Sequence, residues 1–451
     1  MHKETIKQNS TCFLNSRLNV NMENKNNNKQ FFTISKLREQ FLYTMYFVVC
    51  ILSAISTTAT TAEIAMTENT SSSISTMLLL SQNKHQVLHS EKPIHFEITN
   101  DLKNLIRTLV DNGTNAAMVI GLVDSNGTHF YGYGKTSNAT NAPVVNENTI
   151  FDIGSITKTF TTTLLADIVN EGILRLEDPI ENLLPSSVKV PMYYGQRITL
   201  EDLATHTSGL PENPPNLHIS NITNYSNYTR EELYQALSNV ILKTPPGTHF
   251  EYSNMGIAIL GDILATKMGI PYEKLVKYRI LNVLGMNSTM ITISNPLISH
   301  LALGHSNGTE ITITSADLVI PPPLAPAGSL RSSAADMIKY LSANMNLIKT
   351  KLNGAMENTH MIRLYTNLTG ILPYNIYIGL GWIITTNFGS QIIWHNGEVG
   401  GYNSLAAFNP ATQRGIVILC SSMIQDIDVA NIGFCPYDKL SNIIWNLLLS
   451  N

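Results

Sequence analysis

Apolar and polar positions change period several times along this 451-residue chain, and each change predicts an element. Between Phe96 and Asn112, the residues Ile98, Leu102, Leu105, Ile106 and Leu109 recur at helical spacing. Met118–Asp124 and Thr128–Tyr133 then flank Ser125-Asn126-Gly127, a hairpin signature. After Ser155, Phe160, Leu164 and Ile168, with Leu165 and Val169 offset by one, give a wide apolar face that stops at Gly172. That width predicts a buried central helix. From Leu200 to about Lys351 the pattern is mainly loops and helices, broken at Pro214-Pro215 and Pro321-Pro322-Pro323. It includes a helix from Met255 to Met268 closing at Gly269, and one strand pair, Leu301–His305 with Glu310–Thr314, around Asn307-Gly308. After Tyr377 strands return at Gly379–Ile384, Gln391–His395, Ser404–Phe408 and Gly415–Ser421, followed by a helix from Pro436 to Leu449. Strands at both ends of a helical middle predict an α/β fold. One sheet draws on distant segments, with a mainly helical lobe, roughly residues 200–350, inserted between them.

The first ninety or so residues read differently. Residues 1–38 are polar and rich in Asn and Lys, with too few apolar side chains to bury a core, so disorder is expected. Residues 39–62 hold an apolar run, Phe41–Ile55, with Lys36 and Arg38 before it and Glu63 and Glu68 after it. That asymmetry implies a signal peptide or membrane anchor with the body outside. Thr60-Thr61-Ala62 suits cleavage, and a start at Met22 would shorten the long leader. A Ser/Thr-rich linker, 63–93, leads to a folded domain over 94–451. Asn-x-Ser/Thr sequons at Asn112, Asn138, Asn221, Asn224 and Asn227 agree with export.

A net charge of −4 and a pI near 6.3 leave no basic footprint, so nucleic acid is not an expected partner. The four cysteines, Cys12, Cys50, Cys420 and Cys435, have no zinc-type spacing, and H-E-x-x-H is absent; neither a metal nor an organic cofactor is implied. Export would permit a Cys420–Cys435 disulfide, while the apolar strand around Cys420 fits a small buried hydrophobe.

The chemistry concentrates in Phe151–Phe160, where Ser155 stands three residues before Lys158 at the start of the apolar helix. At that spacing the two side chains share a face. A serine hydroxyl is a weak nucleophile at neutral pH, and an amine kept partly neutral by burial and nearby positive charge can accept its proton. Helix-start N–H groups meanwhile favour developing negative charge. Two further segments carry polar groups of suitable type: Tyr252-Ser253-Asn254 before the Met255 helix, and His395-Asn396-Gly397 at a strand end. Alone, each has a plainer role, as a capping serine, a loop tyrosine, a helix cap or a strand-end histidine. Gly304-His305-Ser306-Asn307-Gly308 matches the G-x-S-x-G elbow of α/β-hydrolases, but it leads into a strand pattern and reads as a hairpin tip. His206, among Thr205, Thr207, Ser208 and Gly209, fits a structurally bonded loop histidine.

The order S-x-x-K, Y-S-N, H-x-G resembles the penicillin-recognising serine hydrolase superfamily, particularly its class C β-lactamase, D-alanyl-D-alanine carboxypeptidase and esterase branch. Leu203–Pro211, Pro246-Gly247, Leu284-Gly285-Met286 and Ala327–Leu330 look like the family too, so the likeness runs from about Phe96 to the C-terminus. The resemblance implies a β-lactamase-like fold and an acyl-enzyme on Ser155, activated by Lys158, acting on an amide or ester of a small molecule or peptide. Tyr252 would shuttle protons as a phenolate held down by Lys158, and Asn254 would bond the substrate's amide side. His395 would supply positive or hydrogen-bonding character that changes near pH 6.5. The oxyanion would lie between the backbone N–H groups of Ser155 and Glu398. Asn396 departs from the pattern: relatives usually carry a Thr or Ser there that helps to hold a substrate carboxylate. Esterase or D-amino-acid peptidase chemistry therefore gains weight. The rival reading is a related protein that accepts an acyl group, or binds a ligand, without turnover.

Overall fold

Alternation along the long strands sends neighbouring side chains into two separate cores. In β1 (Ala117–Asp124), Ala117, Val119 and Val123 enter one and Met118, Ile120 and Leu122 the other. Our computed structural model describes residues 96–113, 116–218, 227–306, 309–310, 320–366, 375–387, 390–422 and 438–449. By its internal contacts the chain divides into Met1–Glu91 and Lys92–Asn451, and every described residue belongs to the second unit. The expected disordered region, signal or anchor segment and linker, together with Asn221, Asn224 and Cys435, lie outside the described residues. Among the described residues no helix is long and apolar enough to cross a membrane.

The remaining strands are β2 (Gly127–Gly134), β3 (Ile150–Asp152), β4 (His305–Ser306), β5 (Thr309–Glu310), β6 (Arg331–Ser333), β7 (Leu364–Tyr365), β8 (Asn375–Ile378), β9 (Ile383–Asn387), β10 (Ser390–Val399), β11 (Tyr402–Asn409) and β12 (Arg414–Cys420). Seven of them join β1 in one eight-stranded sheet, in the order β2-β1-β12-β11-β10-β9-β8-β7, antiparallel at every step. Met118 pairs with Cys420, so the first hairpin is completed by the last strand.

On one face lie α1 (Asn100–Asp111) and the C-terminal helix. Leu102, Ile106 and Leu109 of α1 pack with Leu440, Ile444, Trp445 and Leu448 against Met118, Ile120, Ile416 and Ile418. Burying each such aliphatic side chain contributes about 2 kcal/mol. Thr99 caps α1 by accepting from Leu102 N–H, so the helix starts later than the apolar spacing at Ile98 implies. The other face carries the larger core and the helical lobe. Its helices include α2 (Thr157–Asn170), α3 (Leu200–Ala204), α4 (Arg230–Asn239), α5 (Asn254–Met268), α6 (Ala325–Gly328), α7 (Ala334–Asn344) and α8 (Asn353–Thr359); the C-terminal helix is α9 (Asp438–Leu449). All of α2 from Thr157 to Ile168 is buried.

Three expectations shift. The strand placed over Gly379–Ile384 lies at Ile383–Asn387, after a turn closed by Gly379 N–H to Trp382 O. The strand placed over Gln391–His395 continues to Val399, because Asn396, Gly397 and Glu398 pair with Leu405, Ser404 and Asn403. The isolated hairpin has only two residues per described strand, His305–Ser306 with Thr309–Glu310. Ser306 therefore belongs to a strand, not to a strand-to-helix elbow.

Candidate active site

A two-stranded ribbon sets the nucleophile. In it β3 pairs with β6, Asp152 facing Arg331, and Arg331 Nε lies 2.6 Å from Asp152 Oδ1. Ile153 N–H donates to Leu330 O, and Leu330 N–H donates to Thr157 Oγ1 at 3.1 Å. The chain leaves β3 through a single 3₁₀ turn, Gly154–Ile156, before α2 begins. Ser155 thus sits on a turn whose i and i+3 positions eclipse, and Lys158 falls directly beneath it.

Two glycines let this turn press against β10. Gly154 has φ +49, and a Cβ there would stand 2.8 Å from Glu398 N. A Cβ on Gly397 would stand 2.0 Å from Ile153 O and 2.4 Å from Ser404 Oγ. Backbone on backbone at this separation brings the Glu398 N–H beside the Ser155 turn, the placement that an oxyanion site requires.

Lys158 is fully buried, with Nζ 2.8 Å from Ser155 Oγ and donating to Ala327 O at 2.6 Å. Burial brings its ammonium down from 10.5 to about 7, against an opposing pull from Glu212. Near neutral pH much of the amine is therefore free, and with one N–H on Ala327 O its lone pair can face the hydroxyl. Among the described residues no positive charge gives the expected help; desolvation does the lowering.

Tyr252 stands on the other side. Lys158 Nζ lies 4.9 Å from the centre of its ring, and the phenol hydrogen-bonds with Ser155. The expected phenolate is corrected, however. Burial raises the phenol well above its ordinary value, the Ser155 bond lowers it less, and Glu212 raises it further. Tyr252 rests as a neutral phenol.

His395 is corrected in the same way. It is buried, its ring centre is 6.3 Å from that of Tyr252, and its Nδ1 donates to Asn396 O at 2.5 Å. Burial, aided by Lys158, pushes its imidazole down to about 3, so no titration near 6.5 survives. Asn254 opens α5, capped by Ser253, which accepts from Gly256 N–H. The Asn254 amide donates to Asn213 Oδ1 at 3.0 Å, and both residues line a pocket of about 150 Å³ with Ser155, Ala327 and Glu398. His395, Asn396 and Gly397 do not line that pocket, and strand alternation puts Asn396 on the face opposite His395.

The chain's β-lactamase family model match spans residues 102–431, most of the described domain. The chain belongs to the β-lactamase family. It is a serine hydrolase of that kind. It is 27% identical over 343 residues to the Escherichia coli D-alanyl-D-alanine-carboxypeptidase/endopeptidase AmpH, an alignment covering 74% of this chain and 86% of the relative. It is 24% identical over 359 residues to a Pseudomonas fluorescens β-lactamase, covering 72% and 94%. In fold it resembles the β-lactamase/D-alanine carboxypeptidase of Yersinia pestis solved with citrate, at a TM-score of 0.63 and 23% identity over 77% of this chain and 99% of the other. It also resembles a class C β-lactamase of Rhodobacter sphaeroides, at 0.61 and 22%, over 77% and 100%.

Sequence reasoning passed over several members of the site. The Ala327 carbonyl steadies Lys158, and Thr161 Oγ1 ties that turn down by donating to Pro326 O at 2.7 Å while meeting the Tyr272 hydroxyl at 2.6 Å. His206, in left-handed conformation at φ +57, accepts Ser253 N–H on Nδ1 at 3.1 Å, and its ring centre is 4.6 Å from that of Tyr252. It is a structural loop histidine, but one that braces the Tyr252 segment. The A-G-S-L run after three prolines was the available signal for the first of these.

Proposed function

We propose that the chain hydrolyses an amide or ester bond of a small molecule or peptide through an acyl-enzyme on Ser155. The observation that carries this reading is the buried Lys158 amine, about half neutral near pH 7, 2.8 Å from Ser155 Oγ. In the first half-reaction Oγ adds to the carbonyl carbon as Lys158 takes its proton, and the carbonyl pair moves onto oxygen before the N–H groups of Ser155 and Glu398. The C–N or C–O bond then breaks, and the leaving atom receives that proton, with the neutral Tyr252 hydroxyl set to relay it. Water repeats the sequence: its proton goes to Lys158, the bond to Oγ breaks, and Oγ is reprotonated. The net change is one water consumed per bond cleaved. The amide chemistry named for the carboxypeptidase and β-lactamase relatives supports this substrate class. Export of the domain, by a cleaved leader or a retained anchor, is part of the same proposal. The charge asymmetry around residues 41–55 and the exposed sequon residues Asn112, Asn138 and Asn227 support it.

The test mixes the purified chain, and Ser155→Ala, with an activated ester and a fluorescent penicillin. Continuous Ser155-dependent release of product is the expected result. One equivalent of stable label would replace turnover with trapping, and no difference between the two proteins would overturn the reading.

A further inference from the structure

A second cavity, of about 280 Å³, shares no lining residue with the Ser155 pocket. Buried Leu281, Met286 and Leu330 and half-buried Met290 and Leu297 give it an apolar interior, while Lys277 and Asn282 on its lining are exposed. Methionine side chains adapt to an irregular apolar guest. Two charged side chains, Glu273 and Lys277, line it among the described residues. Glu273 is committed: Oε1 accepts Ile291 N–H at 3.2 Å and Thr292 N–H at 2.7 Å, and Oε2 accepts the Thr292 hydroxyl at 2.9 Å. Four residues on, Lys277 is spaced to pair with it. Instead, among the described residues the Lys277 ammonium has no ion pair and no hydrogen bond. Lys277 opens a π-helical turn, Lys277–Leu281, that follows the helix Tyr272–Val276; such widened turns recur at functional sites. The cavity also touches the ribbon that sets the nucleophile. Met290 and Arg331 exchange backbone bonds at 3.0 and 2.7 Å. Leu330 O accepts Ile153 N–H at 3.0 Å and Leu330 N–H donates to Thr157 Oγ1 at 3.1 Å, so the Leu330 backbone holds the chain on both sides of Ser155.

We infer that this cavity is a second binding site, for an unbranched medium-chain carboxylate, with the alkyl chain among the leucines and methionines and the carboxylate on Lys277. An apolar cavity of about 150 Å³ takes a six-carbon ring, so this volume takes a chain of about ten carbons. Charge complementarity selects the head group: Lys277 is the lining charge without a partner, and Glu273 already has three donors. Because the guest rests on Leu330 and Met290, it acts as an effector of Ser155; that second part rests on the hydrolase reading, whereas the binding does not.

Calorimetric titration of the full chain with sodium hexanoate, octanoate, decanoate and dodecanoate, each below micelle formation, tests the site. One saturable site is expected, tightening about fourfold per added methylene as far as decanoate and no further. Decanol binds about fivefold more weakly than decanoate, and Lys277→Gln, at an exposed position, removes that difference. Leu297→Trp fills the cavity and abolishes binding, with its fold checked by circular dichroism. No saturable binding, a slope undiminished at dodecanoate, or decanol equal to decanoate in the wild type overturns the inference. So does a decanoate affinity unmoved in both variants, which would put the anion elsewhere, the Ser155 pocket included. At saturation decanoate changes the rate of Ser155 acylation by a fluorescent penicillin about twofold or more, half-maximally at the calorimetric constant. An unchanged rate overturns the effector role alone. Ser155→Ala is expected to bind decanoate like the wild type, so a chain that binds it but is never acylated overturns the hydrolase reading and leaves the second site standing.

Discussion

Replacing Lys158 by methionine is expected to silence the site and stabilise the fold. Holding an amine of ordinary value 10.5 at about 7 inside the protein costs about 4 kcal/mol at pH 7. The two hydrogen bonds of Nζ, to Ser155 and to Ala327 O, return about 1 kcal/mol each, and losing them exposes the Ala327 carbonyl to a comparable desolvation cost. Methionine fills nearly the same volume without a charge. The net gain at pH 7 is about 1–3 kcal/mol. The sign with pH follows from proton counting. A depressed lysine leaves the unfolded chain holding more protons between about 7 and 10.5, so wild-type stability climbs with pH through that window and is flat below it. The variant lacks this slope, and its advantage shrinks by about 2–3 kcal/mol from pH 6 to pH 9. Urea unfolding of both proteins across that range, extrapolated to water, measures the gap. The buried histidines titrate in both and largely cancel. A variant less stable than wild type at pH 6, or a gap that does not move with pH, would refute the assignment of a buried, depressed amine.

Two further outcomes follow from the same geometry. The Ser155 acylation rate, followed by stopped flow with a neutral activated ester, rises through an apparent pKa of about 7 and levels above it; His395→Gln retains that inflection, because the imidazole is pushed to about 3, and an inflection near 6.5 lost in this variant would count against it. Gly397→Ala drives a Cβ into Ile153 O and Ser404 Oγ, separating β10 from the nucleophile turn. It lowers kcat by about 10²-fold or more and stability by about 1–3 kcal/mol, and an unchanged kcat would refute the role given to that approach.

The long strands were legible because their alternation is strict: Met118 and Val119 face different cores, and so do Ile416 and Val417. The three polar segments were legible by residue type and order, and the structure brings Ser155, Lys158 and Tyr252 together. The ribbon of β3 and β6 was not, since three-residue strands hold no measurable period. Nor was the extension of β10, because Asn396, Gly397 and Glu398 read as a loop while the hydrogen bonds to β11 hold them extended. The protonation states of Tyr252 and His395 were misjudged because they depend on how much water the whole fold removes, a quantity absent from any short motif. Ala327 contributes only a carbonyl, which every residue has.

The closing of the first hairpin by the last strand bears on how the molecule comes into being. Ser155 and Glu398 are 243 residues apart in the chain, and at ribosomal speeds the second emerges on the order of 10–50 s after the first. Such distant pairing is slow to find even once the chain is complete. For that whole interval the alcohol and its amine exist without the strand that would shelter a negative oxygen. Competence therefore arrives late and all at once, so an unfinished chain cannot attack whatever it meets on the way out.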